Sequence, residues 1–421
     1  MSDIKREQKI AELLRSGMAG GALSRRDLLR RMGIGAGALS ASAFLAACGV
    51  GGENGNGNGA PKSDPLTTTE VQGELNFANW PLYVDKPGSR SSYVPKGNTA
   101  TIPDFEKATD TSVTYREVID DNASFFGTIN EPLANEQDTG WDLIVVTDWL
   151  IGKMIDLGYL EQIQQDRLEN FYANAGEIYK NRTYDPGNKY SVPWQSGITG
   201  IGYNPKLTGR EITSFEDLFD PKFEGSVGMF IEMRDTMNLT LLGLGIEPQQ
   251  ATVEDAQKAQ QKLLEQREAG IVRQYYGNGY ADALARGDLA LTMAWSGDVF
   301  ILKQDTPELE FVVPEEGGIL WTDNMAIPQN AQHPIDAMLM MDYVYDPQVA
   351  AQLAGYVNYI CPVPEAQSIL ASAGDNYSKL VAESPLVFPT PDMEEKLHSY
   401  KLLNEEEEAE WNDLFDQVVQ A

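Results

Sequence analysis

Trp321 and Asp323 present the clearest chemistry in the sequence. They stand two residues apart, and on an extended chain such side chains point to the same side, so an indole face and a carboxylate would lie together. Both groups attract positive charge, which makes the pair half of a site for an organic cation. The alternative is a tryptophan packed in the core beside a solvated carboxylate, since most tryptophans are substantially buried.

The same combination of a ring and a carboxylate recurs where predicted strands end. Ligands of an α/β sheet bind outside the carboxyl ends of its strands, so the recurrence indicates one shared site. Rings would cover the methylene groups of a linear polycation, and carboxylates would pair with its ammonium groups. The rings are those of Trp80, Tyr83, Trp149, Trp295, Trp321 and Tyr359, and the carboxylates are those of Glu232, Asp235, Asp298 and Asp323.

These residue types also suit two other functions. Aromatic faces stack on sugar rings, so an uncharged sugar is an alternative ligand. The paired carboxylates of Glu232 and Asp235 could serve a glycoside-acting enzyme. The sequence has no HExxH, P-loop or CxxC pattern, and only two histidines and two cysteines. We therefore expect a binding protein with no catalytic residue, no metal and no cofactor.

The elements that position these residues alternate between strands and helices from Gly73 onward. Strands are predicted at 73–79, 112–119 and 142–146, with helices between them. The continuous apolar run at 142–146 is typical of a parallel strand covered on both faces. Thr147 and Trp149 follow its end. This alternation predicts an α/β fold.

A second α/β block follows a glycine-rich segment at 193–204, which we interpret as a crossing between two lobes. A chain of 421 residues also exceeds what one compact core usually accommodates. In the second block, Thr252 and Asp255 form a capping pattern that predicts the start of a long helix. An acidic amphipathic segment at 404–419 is predicted to pack as a helix.

The net charge of −31 limits the possible partners. Such a surface repels nucleic acid and anionic membranes, and it attracts cationic solutes at low salt. Adaptation to a saline exterior would give the same charge. The charge therefore excludes nucleic acid as a partner but does not by itself identify a ligand.

The amino terminus predicts export. Arg25 and Arg26 form a twin-arginine pattern, and an apolar segment at 32–47 follows that is too short to span a membrane comfortably. It ends at Cys48 in a sequence that resembles a lipoprotein cleavage site. We expect a signal peptide at 1–47, lipidation of Cys48, and a flexible Gly/Asn-rich tether over 48–71. The body would then lie outside the membrane, anchored by lipid.

Six short stretches occur in an order and spacing that are more specific than any one of them. They are 79–84, 141–147, 190–194, 213–218, 293–298 and 315–328. Together they resemble the spermidine/putrescine-binding proteins of bacterial ABC transporters. The resemblance implies a bilobed, periplasmic-binding-protein-like clamp that closes on its ligand. It also implies a polyamine ligand, an ABC permease as partner, and no enzyme activity.

The resemblance also assigns ligand-binding residues. Trp80 and Tyr83 match the first aromatic pair of the family, and Leu82 stands where the family usually has an acidic residue, which leaves the identity of the polyamine open. The further matches are Thr147 and Trp149 (a hydroxyl and a ring), Glu232 and Asp235 (an acidic pair), Trp295 and Trp321 (stacking rings), Asp298 and Asp323 (amine-binding carboxylates), and Tyr359.

The crossings predict how the chain divides. One lobe would comprise residues 72–197 and 322–367, and the other residues 198–321 and 368–421. We expect the protein to act as a monomer. Trp321 and Asp323 would then lie beside a crossing and couple ligand binding to closure.

Overall fold

The computed structural model of this chain describes residue 66, residues 68–89 and residues 93–420. The predicted signal peptide, Cys48 and most of the predicted tether lie outside the described residues. The last residues assigned to the tether lie against the body, because the Gln164 side chain donates hydrogen bonds to the carbonyl groups of Leu66 and Thr68 at 3.1 and 2.8 Å. Leu66 and Thr68 thus contact Gln164 from within the range predicted as tether, and the predicted start of the first lobe stays a prediction.

Strands and helices alternate along most of the chain. The strands are β1 Glu74–Asn79, β2 Ser112–Glu117, β3 Leu143–Thr147, β4 Ser191–Tyr203, β5 Val227–Phe230, β6 Val272–Tyr276, β7 Leu291–Trp295, β8 Glu310–Val312, β9 Gly318–Ala326 and β10 Leu397–His398. The α-helices are α1 Thr101–Thr109, α2 Asn122–Ala134, α3 Asp148–Asp156, α4 Glu169–Asn174, α5 Pro205–Thr208, α6 Met233–Gly243, α7 Val253–Glu268, α8 Tyr280–Arg286, α9 Ser296–Leu302, α10 Pro334–Tyr343, α11 Pro347–Val357, α12 Glu365–Ala371, α13 Asn376–Glu383, α14 Pro391–Glu394 and α15 Glu405–Gln420.

The strands form two parallel groups joined by a long antiparallel pair. Their order is β2-β1-β3-β9-β4-β7-β5-β6, with β8 on β4 and β10 on β9. Strands β1, β2 and β3 are parallel to one another, as are β5, β6 and β7. The antiparallel pair β4 and β9 connects the two groups, because β9 pairs with β3 and β4 pairs with β7, and the predicted bilobed α/β fold is confirmed.

The register of β4 and β9 locates the junction between the groups. Ser196 pairs with Thr322, and Gly197 pairs with Trp321. Towards one side β9 pairs with β3, and towards the other β4 pairs with β7. The domain boundaries that the sequence predicts, at 197/198 and 321/322, fall at this junction and stay a prediction.

Local sequence explains the elements around the junction. All five residues of β3 are buried, as its continuous apolar run predicts. The long helix α7 begins with the predicted capping box, in which Thr252 and Asp255 satisfy each other's backbone groups. On α15, Trp411, Phe415 and Val418 are buried, so this stripe packs against the body. Within the described part of the chain, no helix is long and apolar enough to cross a membrane.

Candidate ligand-binding site

Asp323 lies where the end of β3 meets the centre of β9. Thr147, the last residue of β3, pairs with Asp323 in the sheet, and its Oγ1 donates a hydrogen bond to Asp323 Oδ1 at 2.7 Å. The Tyr83 hydroxyl donates to Oδ2 at 2.8 Å. The Asn122 side chain orients Thr147 by two hydrogen bonds. Its amide nitrogen donates to the Thr147 hydroxyl, and its amide oxygen accepts from the Thr147 backbone N–H. The carboxylate is thus buried and oriented by hydroxyl donors.

Asp298 has the same arrangement on the other side of the junction. It lies in the first turn of α9, directly after β7, and is buried. The Tyr359 hydroxyl donates to its Oδ1 and the Tyr280 hydroxyl donates to its Oδ2, both at 2.9 Å. Asp298 is therefore held by two tyrosines that come from distant parts of the chain.

Asp235 is the third buried carboxylate of this region. It lies in the first turn of α6, and its Oδ1 accepts hydrogen bonds from the hydroxyls of Thr199 and Tyr400, the latter at 2.8 Å. Thr199 pairs with Trp295 in the sheet, which brings that ring beside the carboxylate. Burial raises the pKa of the Asp235 carboxyl, and hydrogen bonds from Thr199, Tyr400 and Trp295 oppose that rise.

Asp235 and Asp298 both accept hydrogen bonds from neutral hydroxyl groups. Among the described residues, no lysine or arginine forms a salt bridge with Asp235 or Asp298. A buried carboxylate is costly unless it is hydrogen-bonded or paired with a cation. The charge of Arg234 also acts on Asp235, whereas hydroxyl donors orient the Asp298 carboxylate without forming an ion pair with it. Such a group suits an incoming ammonium ion.

Aromatic rings form two groups beside these carboxylates, with edge-to-face contacts except for the tilted Trp295–Phe230 pair. Tyr359 contacts Trp321 with ring centroids 5.3 Å apart and Tyr83 at 6.2 Å. Trp295 contacts Tyr280 at 5.8 Å and Phe230 at 4.5 Å. Asp298 joins the two groups, because it accepts from one tyrosine of each. The structure therefore brings four of the predicted rings (Tyr83, Trp295, Trp321 and Tyr359) together with the carboxylates of Asp235, Asp298 and Asp323.

Two glycines allow the rings to approach the backbone. A Cβ atom on Gly197 would lie 2.2 Å from the Trp321 ring, and one on Gly297 would lie 2.6 Å from the Tyr359 ring. Both distances are far below any contact that real side chains make. A glycine is therefore needed at position 197 of the crossing segment, because the Trp321 ring packs against its backbone.

The loop that carries Trp80 and Tyr83 is held in an uncommon conformation. Trp80 is half-buried, and its Nε1 donates to the Val145 carbonyl of β3 at 2.9 Å. Leu82 has a φ of +60°, which is rare for residues other than glycine, and its side chain is buried. Leu82 therefore supplies packing where the resembled family supplies a carboxylate.

Trp149 and Glu232 lie at a different edge of the site. The guanidinium of Arg234 stacks on the Trp149 ring, 3.7 Å from its centroid. Glu232 is an exposed residue, but protein atoms around its carboxyl group displace water and raise its pKa to about 7. The charges of Asp235 and Asp121 add to this rise. The predicted ligand contact of Trp149 stays a prediction, and one face of its ring already holds a cation.

Sequence reasoning missed Asp148. This residue follows β3 directly, is buried, and accepts hydrogen bonds from the backbone N–H groups of Trp149 and Thr322 at 2.7 and 3.3 Å. Burial raises its pKa to about 7, the charge of Arg182 lowers it, and that of Asp323 raises it. Its position at a strand end was the available signal.

The donors Tyr280, Tyr400 and Thr199 were also missed, because nothing local in the sequence connects them with the carboxylates that they hold. The described residues contain no group of three or more potential metal-ligating His, Cys, Asp or Glu side chains.

Two α/β lobes that share long crossing strands, with rings and buried carboxylates at the junction, have the architecture of a clamp that can close on a ligand. Comparison with known families agrees. Residues 138–381 match the family described as bacterial extracellular solute-binding protein, and the chain belongs to that family.

Relatives with assigned ligands cover most of the chain. It is 28% identical to the spermidine/putrescine-binding periplasmic protein of Salmonella typhimurium, over 74% of this chain and 84% of that one. It is 26% identical to the putrescine-binding periplasmic protein PotF of Escherichia coli, over 80% of this chain and 88% of the relative.

Solved structures support the fold. A spermidine/putrescine substrate-binding protein, PotD, from Streptococcus pneumoniae has a TM-score of 0.69 at 24% identity, covering 82% of this chain and 98% of that one. A protein from Listeria monocytogenes described as a putative spermidine/putrescine ABC transporter has a TM-score of 0.69 at 26% identity, covering 82% and 99%.

Proposed function

We propose that this solute-binding protein captures a polyamine, putrescine or a spermidine-like molecule, between its two lobes and delivers it to an ABC permease. The observation that carries the proposal is the set of buried carboxylates Asp235, Asp298 and Asp323, each held by hydroxyl donors beside aromatic rings. The names of the relatives support the same ligand class.

The chemistry of a polyamine fits this arrangement. Each ammonium group would pair with one carboxylate, at about 4 kcal/mol per close pair for an effective dielectric near 20, before desolvation. The methylene groups would lie against the faces of Trp295, Trp321 and Tyr359. Because hydroxyls already orient the carboxylates, little further ordering of the protein is needed when ligand binds.

The protein would do no chemistry on its ligand. Its transport role would depend on a change between open and closed arrangements of the lobes, with the permease reading the closed form. The divisions at 197/198 and 321/322 would be the points about which the lobes move. The proposal is supported by the register of β4 and β9, in which Gly197 pairs with Trp321 and Ser196 with Thr322 between the two parallel groups.

The amino-terminal sequence supports the proposed export, lipid anchor and tether. Twin-arginine export, lipidation of Cys48 and a tether over 48–71 would place a monomeric binding protein at the outer face of a membrane. Metabolic labelling with a fatty acid tests the anchor: the native chain should incorporate the label, and the Cys48→Ser chain should not.

Calorimetry tests the ligand. The Cys48→Ser chain would be titrated with putrescine, cadaverine, spermidine and spermine, and with a panel of neutral sugars. We expect at least one polyamine to bind more tightly than about 100 μM, since about −5.5 kcal/mol is too weak for a scavenging receptor. Tight binding of a sugar with no polyamine binding would overturn the proposal, and turnover of a glycan panel would point to an enzyme instead.

A further inference from the structure

Residues 399–408, which we call the strap, run between β10 and the first turn of α15 and contact both lobes. On the side of the second lobe, the Tyr400 hydroxyl donates to Asp235 at 2.8 Å, and the Lys401 backbone N–H donates to Asn238 at 3.3 Å. Both partners lie on α6. The strap is therefore attached to the helix that carries a site carboxylate.

The strap also contacts the first lobe. The Arg182 Nη2 donates to the Ser399 hydroxyl at 2.9 Å. The Leu402 side chain lies close to α3, where a Cβ added to Gly152 would be 3.1 Å from a Leu402 methyl group. Because Gly152 has no side chain, α3 and the strap can pack closely.

Glu408 ends the strap and binds a cation from each lobe. Its Oε2 accepts from Lys153 on α3 at 2.9 Å, and its Oε1 accepts from Arg234 on α6 at 2.8 Å. The exposed fractions of the three side chains are 15% for Glu408, 28% for Lys153 and 12% for Arg234. Ion pairs this shielded from water are screened less by salt than pairs on an open surface.

Arg234 makes a further contact between the lobes. Its guanidinium lies 3.7 Å from the centroid of the Trp149 ring, which is on α3 like Lys153. The helix that carries Glu408 is itself fixed to α7, because the Gln260 and Arg267 side chains donate to the carbonyls of Leu414 and Val419. The cations of Lys153 and Arg234 thus meet across the junction through one carboxylate.

We propose that the strap holds the lobes closed, that Glu408 is its latch, and that the latch slows opening and ligand release. Without the carboxylate, two partly buried cations would face each other across the junction, and their repulsion would favour opening. The release part rests on the proposed polyamine function, whereas the closure part does not.

The matched control for Glu408→Gln is Glu407→Gln. Glu407 is the adjacent residue, and its carboxylate pairs with Lys401 of the same strap at 3.2 Å. Both substitutions remove one negative charge from the same turn of helix. Only Glu408→Gln removes an ion pair that joins the lobes.

Closure is measured first, without ligand. Spin labels are attached to the full Cys48→Ser chain at Lys107→Cys and Glu268→Cys, two exposed positions in different lobes; the native Cys361 is buried. We expect Glu408→Gln to broaden the distance distribution and lengthen its mean, and Glu407→Gln to leave it unchanged. Identical distributions for the two variants would overturn the latch whether or not a polyamine binds.

Release is measured second, by stopped-flow dilution of the putrescine and spermidine complexes. We expect Glu408→Gln to release ligand about ten-fold faster than Glu407→Gln, since loss of one partner of a shielded pair acts mainly on the dissociation rate. Lys153→Met, which alters the latch from the first lobe, should shift release in the same direction even if Glu408→Gln folds poorly. Unchanged release in Lys153→Met and Glu408→Gln would reject the latch, whereas absence of polyamine binding in all chains would reject only the ligand.

Discussion

The carboxylates of the cleft and the carboxylate of the strap are held in opposite ways. Asp298 accepts from two tyrosine hydroxyls, whereas Glu408 accepts from a lysine and an arginine. Hydroxyl donors orient a negative charge without neutralising it, while cations neutralise it in place. The difference teaches that, in this fold, the partners of a carboxylate indicate its role. A carboxylate held by hydroxyl groups is suited to binding a cationic ligand, whereas one held by lysine and arginine joins the lobes.

Neutralising Asp323 tests most strongly whether the carboxylates held by hydroxyl groups bind a cationic ligand. Asp323→Asn should lower polyamine affinity by about 100-fold, because truncating one member of a buried charge pair costs about 2–5 kcal/mol. Calorimetry with putrescine and spermidine measures the effect. The exposed Asp166→Asn chain is the control for a simple change of net charge. Equal affinity in the two variants would show that Asp323 does not contact a cation.

Removing one hydroxyl donor sharpens the comparison. Tyr280→Phe should weaken polyamine binding by about ten-fold, since a hydrogen bond to a charged group is worth about 1.5–3 kcal/mol and Asp298 would be less well oriented. Tyr275→Phe is the matched control, because the buried Tyr275 hydroxyl has no hydrogen-bond partner among the described residues. A loss of the same size in both variants would mean that the hydroxyl bond to Asp298 is unimportant for binding.

Glu232 should make ligand affinity depend on pH. Its pKa is raised to about 7, so its ionised fraction increases as the pH rises through neutrality. A cation binds the ionised form better, and polyamine affinity should therefore rise several-fold from about pH 6 to pH 8. Titrations across this range measure the slope. Glu232→Gln should flatten the profile, and an unchanged slope in that variant would assign the dependence to another group.

Asp148 should affect stability more than binding. Burial raises its pKa to about 7, so the folded state binds its proton more tightly than the unfolded state does. The contribution of Asp148 to stability is then greatest at low pH and falls as the pH rises from about 4 to about 7. Asp148→Asn should raise the melting temperature most at pH 8, less at pH 5, and little below about pH 4. A decrease at pH 8 would show that its charge is needed there, most directly beside Arg182.

Strand ends explain why much of the site could be predicted. Thr147, Trp295 and Asp298 lie at or directly after a strand, and ligands of α/β sheets bind outside the carboxyl ends of the strands. Trp321 and Asp323 lie two apart on β9, so their common side follows from the strand period. The local sequence was sufficient to predict a site residue wherever the geometry of the sheet alone determined the position of that residue.

The rest depended on contacts between distant segments. Tyr280 and Tyr400 reach Asp298 and Asp235 only because helices and the strap pack as they do. Arg234 was passed over between two predicted site residues, and the structure places its guanidinium on Trp149. The burial that perturbs Asp148 is likewise a property of the assembled lobes, which no local pattern encodes.

The position of β9 in the middle of the sheet has a consequence for synthesis. β9 lies between β3 and β4, so Ile144 finds its antiparallel neighbour only when Ala326 has been made. The amino-terminal lobe cannot complete its sheet while the chain is still emerging, and pairings over such separations form slowly. We expect fragments that end before β9 to remain incompletely folded, since β3 and β4 both pair with β9.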